Sequence, residues 1–197
     1  MPRKNETRNV LADTEERWIS VTGEITAATA TNFEKQLEKL SEECRAPVAV
    51  FLESPGGDSF ACLKMYYLIK HLSEKETPVH TVGIRTVESG TFFLLQAGTR
   101  RFATRETRFK FHRATRTYEK KTMNSAELAR ELHQLGMVDG AQLLLYTRQG
   151  HPISKIHELF GRDAKIGTKD ALKLNLLDAV IPRDTFSRMR SRVLRER

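Results

Sequence analysis

The run of residues 46–54, Ala-Pro-Val-Ala-Val-Phe-Leu-Glu-Ser, constrains the fold more than any other part of this sequence. A continuous apolar stretch of this length is typical of a strand that is buried on both faces, as in the middle of a parallel sheet. Pro55, Gly56 and Gly57 end the run, and residues 58–75 then show helical spacing of apolar side chains. Because parallel strands need crossover connections that are usually helical, this segment predicts an α/β fold.

The same strand–turn–helix unit recurs along the chain. Residues 17–25 alternate like a strand and residues 31–43 have one apolar helical face, and a strand at 79–84 precedes a helix that begins near Ser89. The rest of the prediction consists of two short strands (100–104 and 108–112), a long helix from Asn124 toward Gly150 and a short helix (153–160). A further helix and a last short strand follow within 161–182. Asn124 and Glu127 have the spacing of a capping box. With no low-complexity linker inside 17–182, we expect a single domain over 1–197, with flexible or helical tails at 1–14 and 184–197.

Cys44 and Cys62 are the only cysteines in the 197 residues. Two are too few for a disulfide framework or a cysteine zinc site, so we expect a reducing, cytoplasmic setting and neither a metal nor another cofactor. No apolar run approaches the roughly 18 residues that a membrane span needs, and residues 1–9 lack the apolar core of a secretory signal. The sequence therefore predicts a soluble globular protein with no membrane partner.

Positive charge is concentrated in two segments of a chain whose formal net charge is +8. Residues 100–121 contain nine Lys or Arg and two acidic residues, and residues 183–197 contain six Arg and two acidic residues. Such segments can bind polyanions. However, they lack interleaved aromatic side chains, and no helix-turn-helix or zinc-finger spacing is present. We therefore expect a solvated or partner-facing surface rather than a nucleic-acid interface.

Two predicted strand-to-helix junctions carry residues that suit catalysis. In the first, Gly56 and Gly57 let backbone N–H groups approach a ligand beside the positive end of a helix. In the second, Ser89 and Gly90 open a helix. The ordinary interpretations are a tight turn and an N-cap serine. If adjacent parallel strands carry both loops, the glycine N–H groups face the Ser89 hydroxyl, which is the arrangement of a nucleophile beside an oxyanion hole.

A serine nucleophile also needs a base, and the sequence contains six histidines. Four are expected on helices or at a helix end, and one lies near the start of a strand: His71, His133, His151 and His157, and His80. His112 closes the alternating strand 108–112 and leads directly into a loop, where a base is held at a sheet edge. His112 is therefore the candidate base, with a structural histidine as the alternative.

Four segments, taken in order, resemble the proteolytic subunit of the Clp protease. They are FLESPGGDS (51–59), ESGTFFLLQAG (88–98), FKFHRA (109–114) and GRDAKIGTKDALKLNLLD (161–178). The similarity extends from about residue 17 to residue 182. It implies the ClpP/crotonase-like fold, which is α/β with stacked ββα units and a protruding handle helix.

Matched residue by residue, the resemblance implies a catalytic triad of Ser89, His112 and Asp163, with oxyanion donors at the N–H groups of Gly57 and Gly90. The implied reaction is hydrolysis of peptide bonds in unfolded proteins or peptides, without a cofactor. The family also implies a homo-oligomer, namely a heptameric ring that stacks on a second ring, with an AAA+ unfoldase as partner.

The sequence departs from the family pattern around this triad. The nucleophile, usually flanked as Ala-Ser-Met-Gly, stands here in Glu88-Ser89-Gly90-Thr91. The segment 113–127 is basic where the family has Gly and Gln, and Gly161 replaces the acid that usually precedes the arginine at Arg162. Only sixteen residues precede Arg17, where the family has its axial gate. The triad is retained while the assembly surfaces differ.

Two other functions fit parts of the sequence. One is a non-proteolytic scaffold of the same fold, whose basic surface binds a polyanion or a protein partner; Glu88 and the altered segment 113–127 favour it. The other is an acyl-thioester enzyme of the related crotonase-like superfamily, which also uses glycine-rich oxyanion loops. That chemistry needs no serine nucleophile, so the complete Ser-His-Asp set favours a peptidase.

Overall fold

The computed structural model describes residues 14, 17–75, 77–117, 122–147 and 153–182 of the chain. The elements are, in chain order, β1 (Trp18–Thr22), α1 (Ala27–Glu43), β2 (Val48–Ser54), α2 (Ser59–Glu74), β3 (Val79–Glu88), α3 (Gly90–Leu95), β4 (Arg100–Thr104), β5 (Arg108–Lys110), α4 (Ser125–Thr147), α5 (Ile153–Gly161), β6 (Lys165–Gly167), α6 (Thr168–Lys173) and β7 (Ala179–Ile181). The predicted tails, 1–14 and 184–197, lie outside the described residues except for residue 14.

One sheet organises the molecule. β1, β2, β3, β4 and β7 are neighbours in that order, and all of these pairs are parallel. β5 pairs in parallel with the end of β3, and β6 pairs antiparallel with β5. The predicted central strand is β2, whose residues are all buried except the half-buried Glu53. The α/β prediction is therefore confirmed.

Apolar side chains pack on both faces of this sheet because successive residues of a strand point to opposite faces. Val48, Val50 and Leu52 of β2 belong to the main core, which α1, α2 and α3 complete. Ala49 and Phe51 of the same strand belong to a smaller cluster on the other face. The continuous apolar run read in the sequence is explained by this two-sided burial.

α4 is the long helix that was predicted from Asn124 onward. The Asn124 side chain accepts a hydrogen bond from the Glu127 N–H (3.0 Å), and the Glu127 carboxylate accepts one from the Asn124 N–H (2.9 Å), which confirms the capping box. Much of the helix surface faces solvent, including Leu128, Leu132, Met137 and Leu144, each at least 50% exposed. This helix corresponds to the expected handle.

Three features differ from the sequence prediction. β6 was not predicted, because it is three residues long and forms only by pairing with the distant β5. β3 continues to Glu88, beyond the predicted end at residue 84, with Arg85 at φ 45° inside it. The helix near Ser89 is only six residues long. In the described part of the chain, no helix has both the length and the apolar character to cross a membrane.

Candidate active site

The two glycine- and serine-bearing loops lie side by side. β2 and β3 are adjacent parallel strands, so the loops that follow them emerge at the same edge of the sheet. Contact between the loops is tight: a Cβ added to Gly56 would lie 2.7 Å from the Ser89 Cβ and 3.0 Å from the Glu88 carbonyl oxygen. Only a glycine at position 56 allows this approach.

Ser89 has an unusual backbone conformation. Its φ is 52° and its ψ is −128°, and it stands at the N-cap position of α3 without accepting any cap hydrogen bond on its side chain. Its N–H donates to the Lys110 carbonyl (3.1 Å), and its carbonyl accepts from the Phe92 N–H (3.0 Å). The side chain is therefore not used as the ordinary N-cap. A serine on a strained strand-to-helix turn is the arrangement in which α/β-hydrolases expose a nucleophile.

The glycine loop is fixed by hydrogen bonds from both sides. The Gly56 N–H donates to the Ser54 hydroxyl (3.0 Å), and the Ile25 N–H donates to the Gly56 carbonyl (2.8 Å). Gly57 forms an isolated bridge with Ile25 and has φ 151°; a Cβ there would lie 2.2 Å from the Ile25 carbonyl oxygen. The sequence indicated the two glycines as site residues, but it did not indicate that Ser54 and Ile25 hold the loop, because neither residue type is typical of such a role.

Two N–H groups near Ser89 have no hydrogen-bond acceptor among the described residues. The Gly57 N–H makes no hydrogen bond with any of the described residues. Gly90 is the first residue of α3, so its N–H has no partner within the helix. Both belong to the loops that meet at Ser89. An oxyanion hole needs such preorganised donors beside the attacked carbonyl.

His112 lies two residues beyond β5 and lines the same cleft as Ser89 and Gly57, whose volume is about 480 Å³. Its Nδ1 is 2.7 Å from the Arg113 carbonyl oxygen. A carbonyl oxygen only accepts hydrogen bonds, so Nδ1 carries the proton in the neutral ring. Nε2 is then free to accept a proton, which is the tautomer that a general base requires.

Asp163 lies on the turn after α5, has φ 49° and is exposed. In the antiparallel pairing of β5 and β6, Lys110 is opposite Lys165, and the Phe111 N–H donates to the Ala164 carbonyl (2.9 Å). His112 and Asp163 are thus the chain neighbours of a hydrogen-bonded pair, Phe111 and Ala164. The hydrogen bond at His112 Nδ1, however, goes to Arg113 and not to Asp163.

The wall of the cleft opposite the glycine loop is formed by residues 114–117 and by α4. The Ala114 N–H donates to the Asp139 carboxylate (2.6 Å), and Arg116 forms an ion pair with Glu131. Nothing local in the sequence points to Asp139, which is 25 positions from its partner. Within the described ranges, no group of His, Cys, Asp or Glu is placed to hold a metal ion.

A cluster of aromatic side chains packs next to the site. Phe92, which follows the nucleophile loop, packs against Phe111 beside the candidate base (ring centroids 4.6 Å apart). Tyr146 of α4 contacts both rings, at 5.5 Å and 5.9 Å. Burial raises the pKa of Tyr146 well above its usual value, so its hydroxyl remains protonated. The cluster ties α3, the end of β5 and α4 into one unit.

Comparisons with known proteins find similar proteins of one family. A family model described as Clp protease matches residues 3–184. The ATP-dependent Clp protease proteolytic subunit 2 of Treponema pallidum is 28% identical over 170 residues, which are 85% of this chain and 83% of the relative. The subunit 2 of Chlamydia abortus is 30% identical over 169 residues, 84% and 80% of the two chains. The structure of a ClpP1 mutant from Listeria monocytogenes has a TM-score of 0.74 at 21% identity and covers 92% of this chain and 98% of its own.

Proposed function

This chain belongs to the Clp protease family, and on that basis we propose that it is a serine-type endopeptidase in which Ser89 is the nucleophile. The observation that carries the proposal is the conformation and the surroundings of Ser89. Its backbone is strained and its side chain makes no cap hydrogen bond, while the residue lies close against the glycine loop and shares a cleft with His112. The ordinary structural role of such a serine would require a cap hydrogen bond, which its side chain does not make.

The proposed reaction is acyl transfer to serine, followed by hydrolysis. His112 Nε2 takes the proton from the Ser89 hydroxyl while the Ser89 oxygen attacks the carbonyl carbon of a peptide bond. The N–H groups of Gly57 and Gly90 bind the oxyanion that forms; one such donor is typically worth about 10²–10³ in rate. The proton on His112 then goes to the leaving amine, and water releases the acyl group by the same steps.

Asp163 is the proposed acid of the triad. For it to act, the His112 ring must turn from the Arg113 carbonyl so that Nδ1–H donates to the Asp163 carboxylate. The pairing of β5 with β6 and the hydrogen bond from the Phe111 N–H to the Ala164 carbonyl support this contact, because they hold the residues next to His112 and Asp163 together. Asp163 would then stabilise the imidazolium that forms during attack.

Proteins of the Clp protease family generally form oligomeric rings and work with AAA+ partners. We extend this to a heptameric, stacked ring of this chain that takes unfolded proteins or peptides from an AAA+ unfoldase. The exposed apolar side chains of α4 support an assembly, because a monomer would leave them in water. Two free cysteines fit a reducing cytoplasmic setting.

A fluorophosphonate probe followed by mass spectrometry of the intact protein tests the nucleophile directly. One probe adduct is expected on the native protein and none on Ser89→Ala. A Ser89→Ala variant that is labelled equally, or that cleaves a model peptide as fast as the native protein, would contradict the proposal.

The second candidate is a non-proteolytic scaffold that binds a polyanion or a partner through its basic surface. The hydrogen bond of His112 Nδ1 to Arg113 favours it, because the triad contact to the exposed Asp163 is not made in this conformation. Absence of probe labelling at Ser89, together with binding to a nucleic acid that weakens steeply with salt, is the result that this function predicts.

A further inference from the structure

A cavity of about 780 Å³ lies at the edge of the sheet opposite to the candidate active site. It is lined by Arg100, the first residue of β4, and by Asp178, which directly precedes β7. The loops that carry Gly57 and Ser89 follow the last residues of β2 and β3 instead. Because these strands are parallel, their first and last residues lie at opposite edges of the sheet. Among the described residues, none lines both this cavity and the cleft.

Positive charge is in excess in this cavity. Its charged lining residues are Arg100, Lys169 and Lys173 and the single acid Asp178, which leaves a surplus of two positive charges. The Asp178 carboxylate is bound by the guanidinium of a further cation, Arg101, at 2.7 Å and 3.1 Å. Because Arg101 already offsets the charge of Asp178, the three lining cations keep their positive charge toward the cavity.

The three cations come from two elements of the fold. Lys169 and Lys173 are four residues apart on α6, so they share one face of that helix. Within the described ranges, Lys169 is in no ion pair; the pair of Lys173 with Asp170 is long (3.7 Å) and exposed, which makes it weak. Arg100 is half-buried, and its guanidinium carbon lies 5.6 Å from the centre of the Phe102 ring. An anion in the cavity would meet charges that the protein itself leaves largely uncompensated.

The cavity also has an apolar part. Leu177, which is buried, and Leu172, which is half-buried, line it beside the cations. Asn175 adds an amide group that can donate hydrogen bonds to an anion. The volume lies in the range of about 300–1,000 Å³ that is usual for small-molecule sites. This combination fits an organic anion better than an inorganic ion, which would make no use of the two leucines.

We propose that this cavity binds a small organic phosphate, whose phosphate group pairs with Arg100, Lys169 and Lys173 and whose organic part packs on Leu172 and Leu177. A phosphate monoester matches the surplus of charge because it carries close to two negative charges at neutral pH, whereas a carboxylate carries one. Lysine binds phosphate as a point charge, and arginine adds paired N–H donors. An extended nucleic acid would instead need a stripe of basic residues along the surface. The site is separate from peptide hydrolysis and does not depend on it.

Isothermal titration calorimetry of the intact chain with 1-naphthyl phosphate tests the proposal. At about pH 8 this probe is a dianion, because the second pKa of a phosphate ester is about 6. We expect one probe molecule per chain, bound about tenfold more tightly than 1-naphthoate, which has one charge fewer, and than inorganic phosphate, which lacks the apolar part. Lys169→Gln and Arg100→Gln should each weaken binding about tenfold, because each removes a charge-assisted contact. Lys39→Gln, at an exposed position on α1, is the matched control and leaves the affinity unchanged.

Absence of binding, or equal affinities of the native protein and both cavity variants, would overturn the proposal. If Arg100→Gln does not fold by circular dichroism, Lys173→Gln decides in its place, since Lys173 is exposed. Equal binding of the neutral 1-naphthol would contradict a phosphate site, and equal binding of inorganic phosphate would contradict the part assigned to the leucines. Ser89→Ala is expected to bind the probe as the native protein does; a loss of binding in that variant would place the probe in the cleft and overturn the assignment.

Discussion

Ser89 holds a conformation that costs a residue other than glycine about 1–3 kcal/mol, and such residues persist only where their surroundings fix them. Here the surroundings are the Lys110 carbonyl, which accepts the Ser89 N–H, and Gly56, which closes against the side chain. Because of this strained conformation, the Ser89 side chain lies in the cleft and does not cap the N-terminus of α3. Two groups are available to orient His112, namely the Arg113 carbonyl and the Asp163 carboxylate.

Asp163→Asn separates the two possible orienting groups. If the Asp163 carboxylate holds the His112 ring during catalysis, we expect kcat to fall about 10⁴-fold, because the amide both loses the charge and favours the wrong tautomer. Peptide turnover measures this, with Asp170→Asn as control, since Asp170 is exposed and belongs to the neighbouring α6. A fall in kcat of less than tenfold would mean that the Arg113 carbonyl alone is sufficient to orient the His112 ring.

Gly57→Ala tests the oxyanion loop. The added Cβ would lie 2.2 Å from the Ile25 carbonyl oxygen at φ 151°, so the loop must move. We expect a loss of about 1–3 kcal/mol in the free energy of unfolding and a fall of about 10²–10³ in kcat as the N–H is displaced. Denaturant unfolding and peptide turnover measure the two effects.

The matched control for this substitution is Gly136→Ala on α4, where no atom lies within 4 Å of the added Cβ. That change is expected to stabilise the helix by up to about 1 kcal/mol. Equal effects of the two substitutions on stability and turnover would contradict the role assigned to the loop.

At the scale of elements, Arg101 joins β4 to the segments on either side of it. Its guanidinium contacts the Asp178 carboxylate (2.7 Å) and the Gln96 side-chain oxygen (3.0 Å), and Gln96 in turn donates to the Leu176 carbonyl (3.1 Å). The end of α3 and the approach to β7 are therefore held to the same strand. Burial of the Asp178 carboxyl opposes ionisation, but its hydrogen bonds to Arg101 and the charge of Arg101 outweigh this, so the pKa of Asp178 is lowered.

A pH dependence of stability follows from the contact between Arg101 and Asp178. A carboxyl whose pKa is lower in the folded state than its ordinary 3.8 stabilises the fold above that value, and the contribution is lost as the pH falls through the folded pKa. We expect Asp178→Asn to lower the free energy of unfolding by about 1–3 kcal/mol at pH 7, and by progressively less below pH 4. Urea titrations at several pH values measure this difference in the free energy of unfolding, with Glu38→Gln at an exposed position as control. A difference that persists undiminished at pH 2 would contradict this account.

Elements with strong local patterns could be predicted from the sequence, and those made by distant pairing could not. β2 and α2 follow from a continuous apolar run and a 3.6-residue period, and the Asn124 cap follows from a three-residue spacing. β6 exists only because β5 is beside it, and three residues carry no period of their own. The contact of Asp139 with Ala114 and the bond of His112 to Arg113 depend on how the chain turns back on itself, which no local pattern records.

Across the molecule, α4 carries four of the six large apolar side chains that are exposed among the described residues. These four side chains are at least half exposed, and the helix also contacts α3 and α5. Single exposed apolar residues are common on proteins, but several on one helix mark a surface that meets a partner.

Leu132→Asp is expected to lower the assembly state if α4 meets another copy of the chain. Leu132 is 61% exposed, so the substitution does not open the core. Native mass spectrometry should show a mass seven times (one ring) or fourteen times (two stacked rings) that of the chain for the unmodified protein and smaller species for the variant. His133→Asp, the adjacent exposed position on the same helix, is the control. A monomeric unmodified protein, or equal masses for both variants, would contradict a ring built through this surface.

The bridge between Ile25 and Gly57 has a consequence for the newly made polypeptide. The loop that would receive the oxyanion is fastened by a residue beyond the first strand, and the strands on either side of the loop must already be aligned for that fastening to occur. A nascent or partly unfolded chain therefore lacks this loop geometry, even though Gly57 and Ser89 are already present in its sequence. Under the proposed function, peptide hydrolysis would therefore begin only once the sheet is complete.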